Sequence, residues 1–177
     1  QLSLAIFASA PAMKYCPSCG GFLSERELPT EDRPRLVCSD CGYVLYQNPK
    51  LVAGAIALKD ARVYLLRRGI EPRRGSRTFP AGYVELGETT EGAAVRETLE
   101  ETGLRIEDLS LLNVYSRPEA GVVVVVYTAR VVGGKPFLGP EALEIQAFNP
   151  ADIPWDDLAF PSTQWALAEW VKRASPG

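Results

Sequence analysis

The sequence predicts an α+β protein: a mixed β-sheet with helices on its faces, preceded by a small module built around four cysteines. Two C-x₂-C pairs stand near the start of the chain, and a capped, strongly acidic helix is expected between apolar, strand-like runs further on. With 177 residues, of which 46% are hydrophobic, the chain can hold one large core and one small additional unit.

The first twelve residues are small and apolar and precede Met13, the single methionine of the chain. A secretory signal would carry a basic segment before its apolar run, and residues 1–12 contain none. We therefore interpret Met13 as the native start and residues 1–12 as an extension without an assigned role.

The four cysteines, Cys16, Cys19, Cys38 and Cys41, form two C-x₂-C pairs separated by 18 residues. This spacing favours a four-cysteine zinc site, and a glycine after each pair permits the tight turn that such a site needs. Two disulfides would require an oxidising compartment, and a redox dithiol would require only one pair. We predict a structural Zn²⁺ in residues 13–46 and a reducing, cytoplasmic setting; nucleic-acid binding by this module stays open.

The larger domain is expected over residues 51–177, after a linker at residues 47–50 that contains Asn48-Pro49. Four apolar runs have the length and composition of strands: Leu51–Leu58, Val63–Arg67, Leu111–Ser116 and Val122–Ala129. Five consecutive valines in the last of these indicate a strand that is covered on both faces. Ser162 is expected to cap a final amphipathic helix.

An acidic helix is predicted between these strands. Thr89 or Thr90 can cap its N-terminus, and Gly103 stands where a left-handed C-terminal cap is expected. Glu97, Glu100 and Glu101 then share one face, where their like charges repel. A divalent cation with oxygen ligands would offset this repulsion. The alternative is a solvated acidic surface helix.

The order of residues from Gly82 to Leu104 resembles the motif of the Nudix hydrolase family: Gly, five residues, Glu, seven residues, Arg-Glu, two residues, Glu-Glu, one residue, Gly, apolar. The family usually has an aliphatic residue directly after Arg-Glu, and here that position is Thr98. Every other fixed position matches. The resemblance implies an α/β/α sandwich that hydrolyses a nucleoside diphosphate linked to another group.

The resemblance also implies a site for Mg²⁺ or Mn²⁺. Its ligands would be the backbone carbonyl of Ala81 and the carboxylates of Glu97, Glu100 and Glu101. Glu88 would support the loop and the metal-bound waters, and Arg96 would orient the carboxylates through charge-assisted hydrogen bonds. Bound metal neutralises charge on the diphosphate and lowers the pKa of an attacking water.

The general base must be a residue other than histidine, because the chain contains none. Similar enzymes use a glutamate from a later loop or the glutamate of the Arg-Glu pair. We choose Glu144, which precedes an apolar strand-like run, with Glu97 and Glu141 as rivals. Glu141 and Glu144 could also be ordinary solvated loop acids.

Tyr46-x-Asn-Pro-Lys50 together with the cysteine module resembles the zinc-ribbon group of Nudix enzymes, which includes FAD, ADP-ribose and NADH pyrophosphatases. Arg77 replaces a tryptophan common in that group, and a Ser-Gln-Pro-Trp-Pro-Phe-Pro array typical of NADH pyrophosphatases is absent, which favours FAD or ADP-ribose. The alternatives are an RNA-directed Nudix protein, including a cap-removing one, and a non-catalytic nucleotide sensor.

Charge and hydropathy limit the partners of the chain. A net charge of −3 does not favour nucleic acid, and no apolar run is long enough to span a membrane. The sequence leaves open whether the chain acts alone or as a homodimer. Five arginines precede the acidic motif and suit phosphate, but the sequence singles out none of them: Arg67, Arg68, Arg73, Arg74 and Arg77.

Overall fold

The computed structural model describes residues 13–174, so the expectation for residues 1–12 lies outside the described part of the chain. The chain divides into two compact units between Asn48 and Pro49. Within residues 13–174, no helix is long and apolar enough to cross a membrane.

The first unit contains a small antiparallel sheet in the order β1-β2-β3. Its strands are β1 (Leu23–Arg26), β2 (Arg35–Cys38) and β3 (Val44–Leu45). Among its described residues, the buried hydrophobic side chains are Cys16, Val37 and Cys38. So small a core contributes little stability, and a unit of this kind depends on additional cross-links.

The second unit is built on one mixed sheet in the order β10-β5-β4-β9-β8, with β6 paired to β5 and β7 paired to β4. Its strands are β4 (Lys50–Lys59), β5 (Arg62–Arg68), β6 (Arg77–Thr78), β7 (Ala81–Tyr83), β8 (Leu104–Arg117), β9 (Val122–Gly134) and β10 (Ala142–Phe148). Strands β4 and β9 pair in parallel, and the other pairs in the sheet are antiparallel.

Helix α1 (Thr90–Thr102) carries both predicted caps. The Thr89 side chain accepts a hydrogen bond from the Gly92 backbone N–H, and Gly103 ends the helix at φ 70°. Helix α2 (Pro161–Ala174) begins one residue before Ser162. The prediction that Ser162 caps it is therefore wrong, because proline already suits the first helical position.

The two helices cover opposite faces of the sheet, as the alternation along β4 requires. Ala53, Ala55 and Ala57 pack against Ala93 and Ala94 of α1, and these small side chains let the helix approach the sheet closely. On the other face, Ile56 and Val126 pack against Leu167 and Trp170 of α2. The predicted α/β/α sandwich with a mixed sheet is confirmed, and the valine run of β9 contributes to both cores.

Candidate active site

A cleft of about 830 Å³ lies in the second unit, beside β7 and α1. Glu97, Glu100 and Glu101 line it, together with Ala81 and Gly82 of β7. The acidic face of α1 therefore points into a cleft and is not merely a solvated surface. The cleft also contains Arg68, Glu141 and a group of apolar side chains.

Tight packing between β7 and α1 brings the backbone of the motif loop to the carboxylates. A Cβ atom on Gly82 would lie 2.1 Å from Glu97 Oε1, so any side chain at this position would displace the Glu97 carboxylate from the loop. The backbone N–H of Ala81 donates a hydrogen bond to Glu101 Oε2 at 3.0 Å. Local chain geometry thus places the backbone of Ala81 and Gly82 beside two of the predicted carboxylates, those of Glu97 and Glu101.

Arg96 links the acidic residues to one another. Its Nε and Nη2 atoms donate to the two carboxylate oxygens of Glu88, both at 2.9 Å, and Nη1 donates to Glu97 Oε1 at 2.7 Å. It also reaches Glu100 at 3.3 Å and the Tyr83 carbonyl at 3.1 Å. These hydrogen bonds lower the pKa of Glu88 and hold the loop against α1.

In two carboxylates of the cleft, hydrogen bonds and positive charges do not offset the effect of burial on the pKa. Burial raises the pKa of Glu101 to about 8, and the neighbouring charges of Glu97 and Glu141 act in the same direction. Burial also raises the pKa of Glu97, although Arg96 opposes this shift. Buried, mutually repelling carboxylates are a donor set that suits a hard divalent cation.

The two late glutamates occupy different positions. Glu141 lines the cleft, and its backbone carbonyl accepts a hydrogen bond from Gly69 at 2.6 Å. Glu144 lies within β10, on the same face as Phe148, and Phe148 belongs to the core that packs against α2. The Glu144 carboxylate pairs with Arg77 at 2.9 Å. Glu144 is not among the residues that line the cleft. Glu144 as general base stays a prediction, and its pairing with Arg77 favours the alternative, Glu141.

Arg68 is the arginine of the predicted basic group that lines the cleft. Its Nε donates to the Pro72 carbonyl at 2.9 Å, and its guanidinium lies 5.0 Å from the centroid of the Phe160 ring. Among the described residues, no carboxylate forms a salt bridge with it, whereas Arg67 and Arg77 are both paired with Glu144. The alternation of side chains along β5 was the signal that could have separated Arg68 from Arg67.

The four cysteines of the first unit come together as predicted. Their Sγ atoms lie within 4.8 Å of one another, and the Cys16–Cys41 and Cys19–Cys38 pairs are 3.7 and 3.5 Å apart. Sulfur atoms about 2.3 Å from a central zinc would lie roughly 3.8 Å apart in a tetrahedron. In residues 13–174 this is the one group of three or more ligating side chains gathered closely enough to hold an ion. The glutamates of α1 are instead held by Arg96 and Ala81.

Comparison with known proteins agrees with both units. Residues 48–171 match the NUDIX domain family, and residues 14–47 match the family described as Nudix N-terminal, a zinc ribbon. An ADP-ribose pyrophosphatase from Methanocaldococcus jannaschii is 39% identical over 116 residues, which cover 63% of this chain and 69% of that protein. A crystal structure of a NUDIX hydrolase from Nitrosomonas europaea superimposes with a TM-score of 0.87 at 37% identity and covers 92% of each chain.

A second kind of relative is longer. The NAD-capped RNA hydrolase NudC from Salmonella heidelberg is 30% identical over 143 residues, which cover 80% of this chain but 53% of that protein. The chain thus spans about half the length of this relative. The two family matches, the similar structure and the acidic cleft lead to one conclusion: the chain belongs to the Nudix hydrolase family and carries that family's N-terminal zinc ribbon.

Proposed function

We propose that this enzyme hydrolyses the diphosphate bond of a nucleoside diphosphate linked to another group, with FAD or ADP-ribose as the favoured substrates and AMP as a product. The observation that carries the proposal is the acidic cleft, in which Glu97, Glu100 and Glu101 face a volume of about 830 Å³. This volume lies in the upper part of the range of about 300–1,000 Å³ that is usual for small-molecule sites.

Glu97, Glu100, Glu101 and the Ala81 carbonyl would hold Mg²⁺ or Mn²⁺, with Glu88 supporting the loop. When bound, the ion neutralises charge on the diphosphate and acidifies an attacking water. Arg96 keeps the carboxylates oriented, because it donates hydrogen bonds to Glu88, Glu97 and Glu100.

Glu141 is our choice of general base for the attacking water. Its charge acts on both Glu97 and Glu101, so its carboxylate is close to the acidic centre. Glu97 remains the rival, whereas Glu144 is engaged by Arg77. Arg68 is suited to the phosphate oxygens of the substrate, because its guanidinium has no carboxylate partner among the described residues and is held by Pro72 and Phe160.

In the first unit we propose that the four cysteines hold one Zn²⁺ with a structural role. All four ligand positions of a tetrahedral ion would be filled by sulfur, which leaves no open position for a substrate. The ion would replace the core that this unit lacks.

Hydrolysis of an NAD-type cap on RNA is the second candidate, and the likeness to NudC over 80% of the chain favours it. Such a substrate extends beyond the cleft as a polyanion, so its binding would depend strongly on salt concentration. A small substrate such as FAD or ADP-ribose carries few charges, and its binding would depend on salt only weakly.

A substrate panel tests the proposal. The purified protein is incubated with FAD, ADP-ribose, NADH, a sugar nucleotide and NAD-capped RNA, with Mg²⁺ or Mn²⁺, and the products are identified by mass spectrometry. Release of AMP from FAD or ADP-ribose is the expected result. Preferred turnover of capped RNA would establish the second candidate, and the absence of turnover with every dinucleotide would refute the first.

A further inference from the structure

One part of the cleft lining is apolar. Val52 of β4 and Val124 of β9 stand opposite each other in the parallel pair, and Val122 lies two residues before Val124 on the same face. All three line the cleft, and the Tyr83 ring, opposite Val52 on β7, borders them. Phosphate groups gain nothing from such a floor, whereas a planar ring buries its face on it.

Arg117 also lines the cleft, and it stands opposite Val122 in the antiparallel pair of β8 and β9. Its Nε donates to the carboxylate of Glu119, so its charge is already neutralised. Its guanidinium lies 6.0 Å from the centroid of the Trp165 ring, and that ring packs against Tyr115. Arg117 therefore offers the cleft a flat group that lies near the Trp165 ring and has no unpaired charge.

Arg68 and Arg117 differ in the partner that each can accept. Arg68 has no carboxylate partner among the described residues and lines the cleft together with Glu101. Arg117 has a carboxylate partner, and this pairing distinguishes it from Arg68, because both guanidinium groups lie near an aromatic ring. An unpaired guanidinium suits phosphate, whereas a guanidinium whose charge is already paired can lie flat against an aromatic ring without needing an anion.

We propose that Arg117 and the floor of Val52, Val122 and Val124 form a subsite for the nucleobase of the substrate. The phosphates then lie toward Arg68 and the glutamates of α1. This assignment rests on the proposed function, because it takes the substrate to be a nucleotide.

Binding of two fragments tests the assignment. Dissociation constants of AMP and ribose 5-phosphate are measured by calorimetry with Mg²⁺ for the wild type and for Arg117→Ala, Arg117→Lys and Arg68→Ala. We expect the wild type to bind AMP about tenfold more tightly than ribose 5-phosphate. Both Arg117 variants should lose most of this difference without weakening ribose 5-phosphate, and Arg68→Ala should weaken both ligands.

The matched control is Arg130→Ala, which removes an exposed arginine paired with Asp108 and should bind both ligands as the wild type does. Equal binding of AMP and ribose 5-phosphate by the wild type would overturn the proposal. So would an equal loss of both ligands in Arg117→Ala, or full AMP affinity in Arg117→Lys, since lysine keeps the charge and removes the plane. These measurements need no turnover, so they separate failure of the subsite from failure of the proposed hydrolysis.

Discussion

Glu101 is the most strongly perturbed carboxyl group of the cleft. Burial raises its pKa to about 8, far above its ordinary value of 4.5, so without a cation it is neutral in the folded protein at pH 6. In the unfolded chain the same group ionises near pH 4.5. Folding therefore requires proton uptake between these two values, and the stability due to Glu101 falls as the pH rises from about 4.5 through 8.

The change Glu101→Gln removes this titration and keeps an oxygen that can accept from Ala81. Without added Mg²⁺, the variant and the wild type should melt at similar temperatures at pH 5, and the variant should melt higher at pH 8. The gap should be several degrees, because about 1 kcal/mol shifts the melting temperature of a protein of this size by roughly 2–4 °C. Differential scanning calorimetry across this pH range provides the measurement.

Glu107→Gln is the matched control, because Glu107 is exposed at the sheet edge and pairs loosely with Arg130 at 3.7 Å. It should follow the wild type at every pH. Added Mg²⁺ should raise the melting temperature of the wild type at pH 8 and affect Glu101→Gln less. A difference between Glu101→Gln and the wild type that stays constant with pH would contradict the assigned burial effect.

The two late glutamates give a paired prediction on activity. Glu141→Gln should lower kcat by about 10²–10⁴-fold with little change in stability, as expected for loss of a general base. Glu144→Gln should mainly lower stability, because the buried Arg77 loses an ionised partner. Steady-state kinetics on the best dinucleotide, with thermal melts of both variants, distinguishes the roles. A normal kcat in Glu141→Gln together with a large loss of kcat in Glu144→Gln would support Glu144, the general base predicted from the sequence.

The position of the α1 glutamates was predictable from the sequence, whereas the face of β10 that carries Glu144 was not. Spacing along α1 was enough to align Glu97, Glu100 and Glu101, because a helix has a fixed period. The face of Glu144 depends on the register of β10 against β5, which shifts between Ala142 and Glu144. A shift of one residue moves side chains to the other face of the strand, and no local sequence pattern indicates this register shift.

Helix α1 was predictable at both ends because capping is local chemistry. Two features favour glycine at position 103. Gly103 adopts φ 70°, and a Cβ atom there would lie 2.3 Å from the Phe137 ring and 2.4 Å from the Lys135 carbonyl oxygen. The positive φ was foreseeable from the helix end. The close approach of residues 135–137 was not, because it depends on the path of the chain after β9.

Gly103→Ala should therefore destabilise the second unit by more than backbone strain alone. Strain from a left-handed residue costs about 1–2 kcal/mol, and displacing Phe137 and the Lys135 carbonyl adds to it. Gly121→Ala is the control, because Gly121 has φ 62° and no atom within 4 Å of the added Cβ. Urea unfolding followed by tryptophan fluorescence measures both variants. Equal losses would show that Phe137 and Lys135 move aside freely.

Strand lengths were less predictable than strand positions. Strand β8 extends over Leu104–Arg117, whereas its apolar run indicated only Leu111–Ser116. The additional residues include Arg105, Glu107 and Asp108, which are poor indicators of a strand. Their backbone pairs with β9 through an antiparallel ladder with several register shifts, so long-range pairing overrides local preference.

For the whole molecule, the sequence predicted two units and the fold of each, because each unit carries a motif with fixed spacing. It could not single out Arg68 or Arg117 as cleft residues. Arg68 lies at the end of β5 and Arg117 at the end of β8, and only the order of the strands in the sheet brings them to one cleft. Site residues within one motif are therefore predictable, and those contributed by distant strands are not.

The two units should also respond differently to loss of the proposed zinc. The described part of the first unit buries few apolar side chains, whereas the second has a core on each face of its sheet. Metal analysis should find about one zinc per chain, and Cys38→Ser should lower the affinity for it and expose the amides of β1 and β2 to hydrogen exchange. The amides of β4 and β9 should stay protected, and the neighbouring variant Ser39→Ala should keep its zinc. If Cys38→Ser lost its zinc while β1 and β2 remained fully protected, the ion would not be what holds the first unit together.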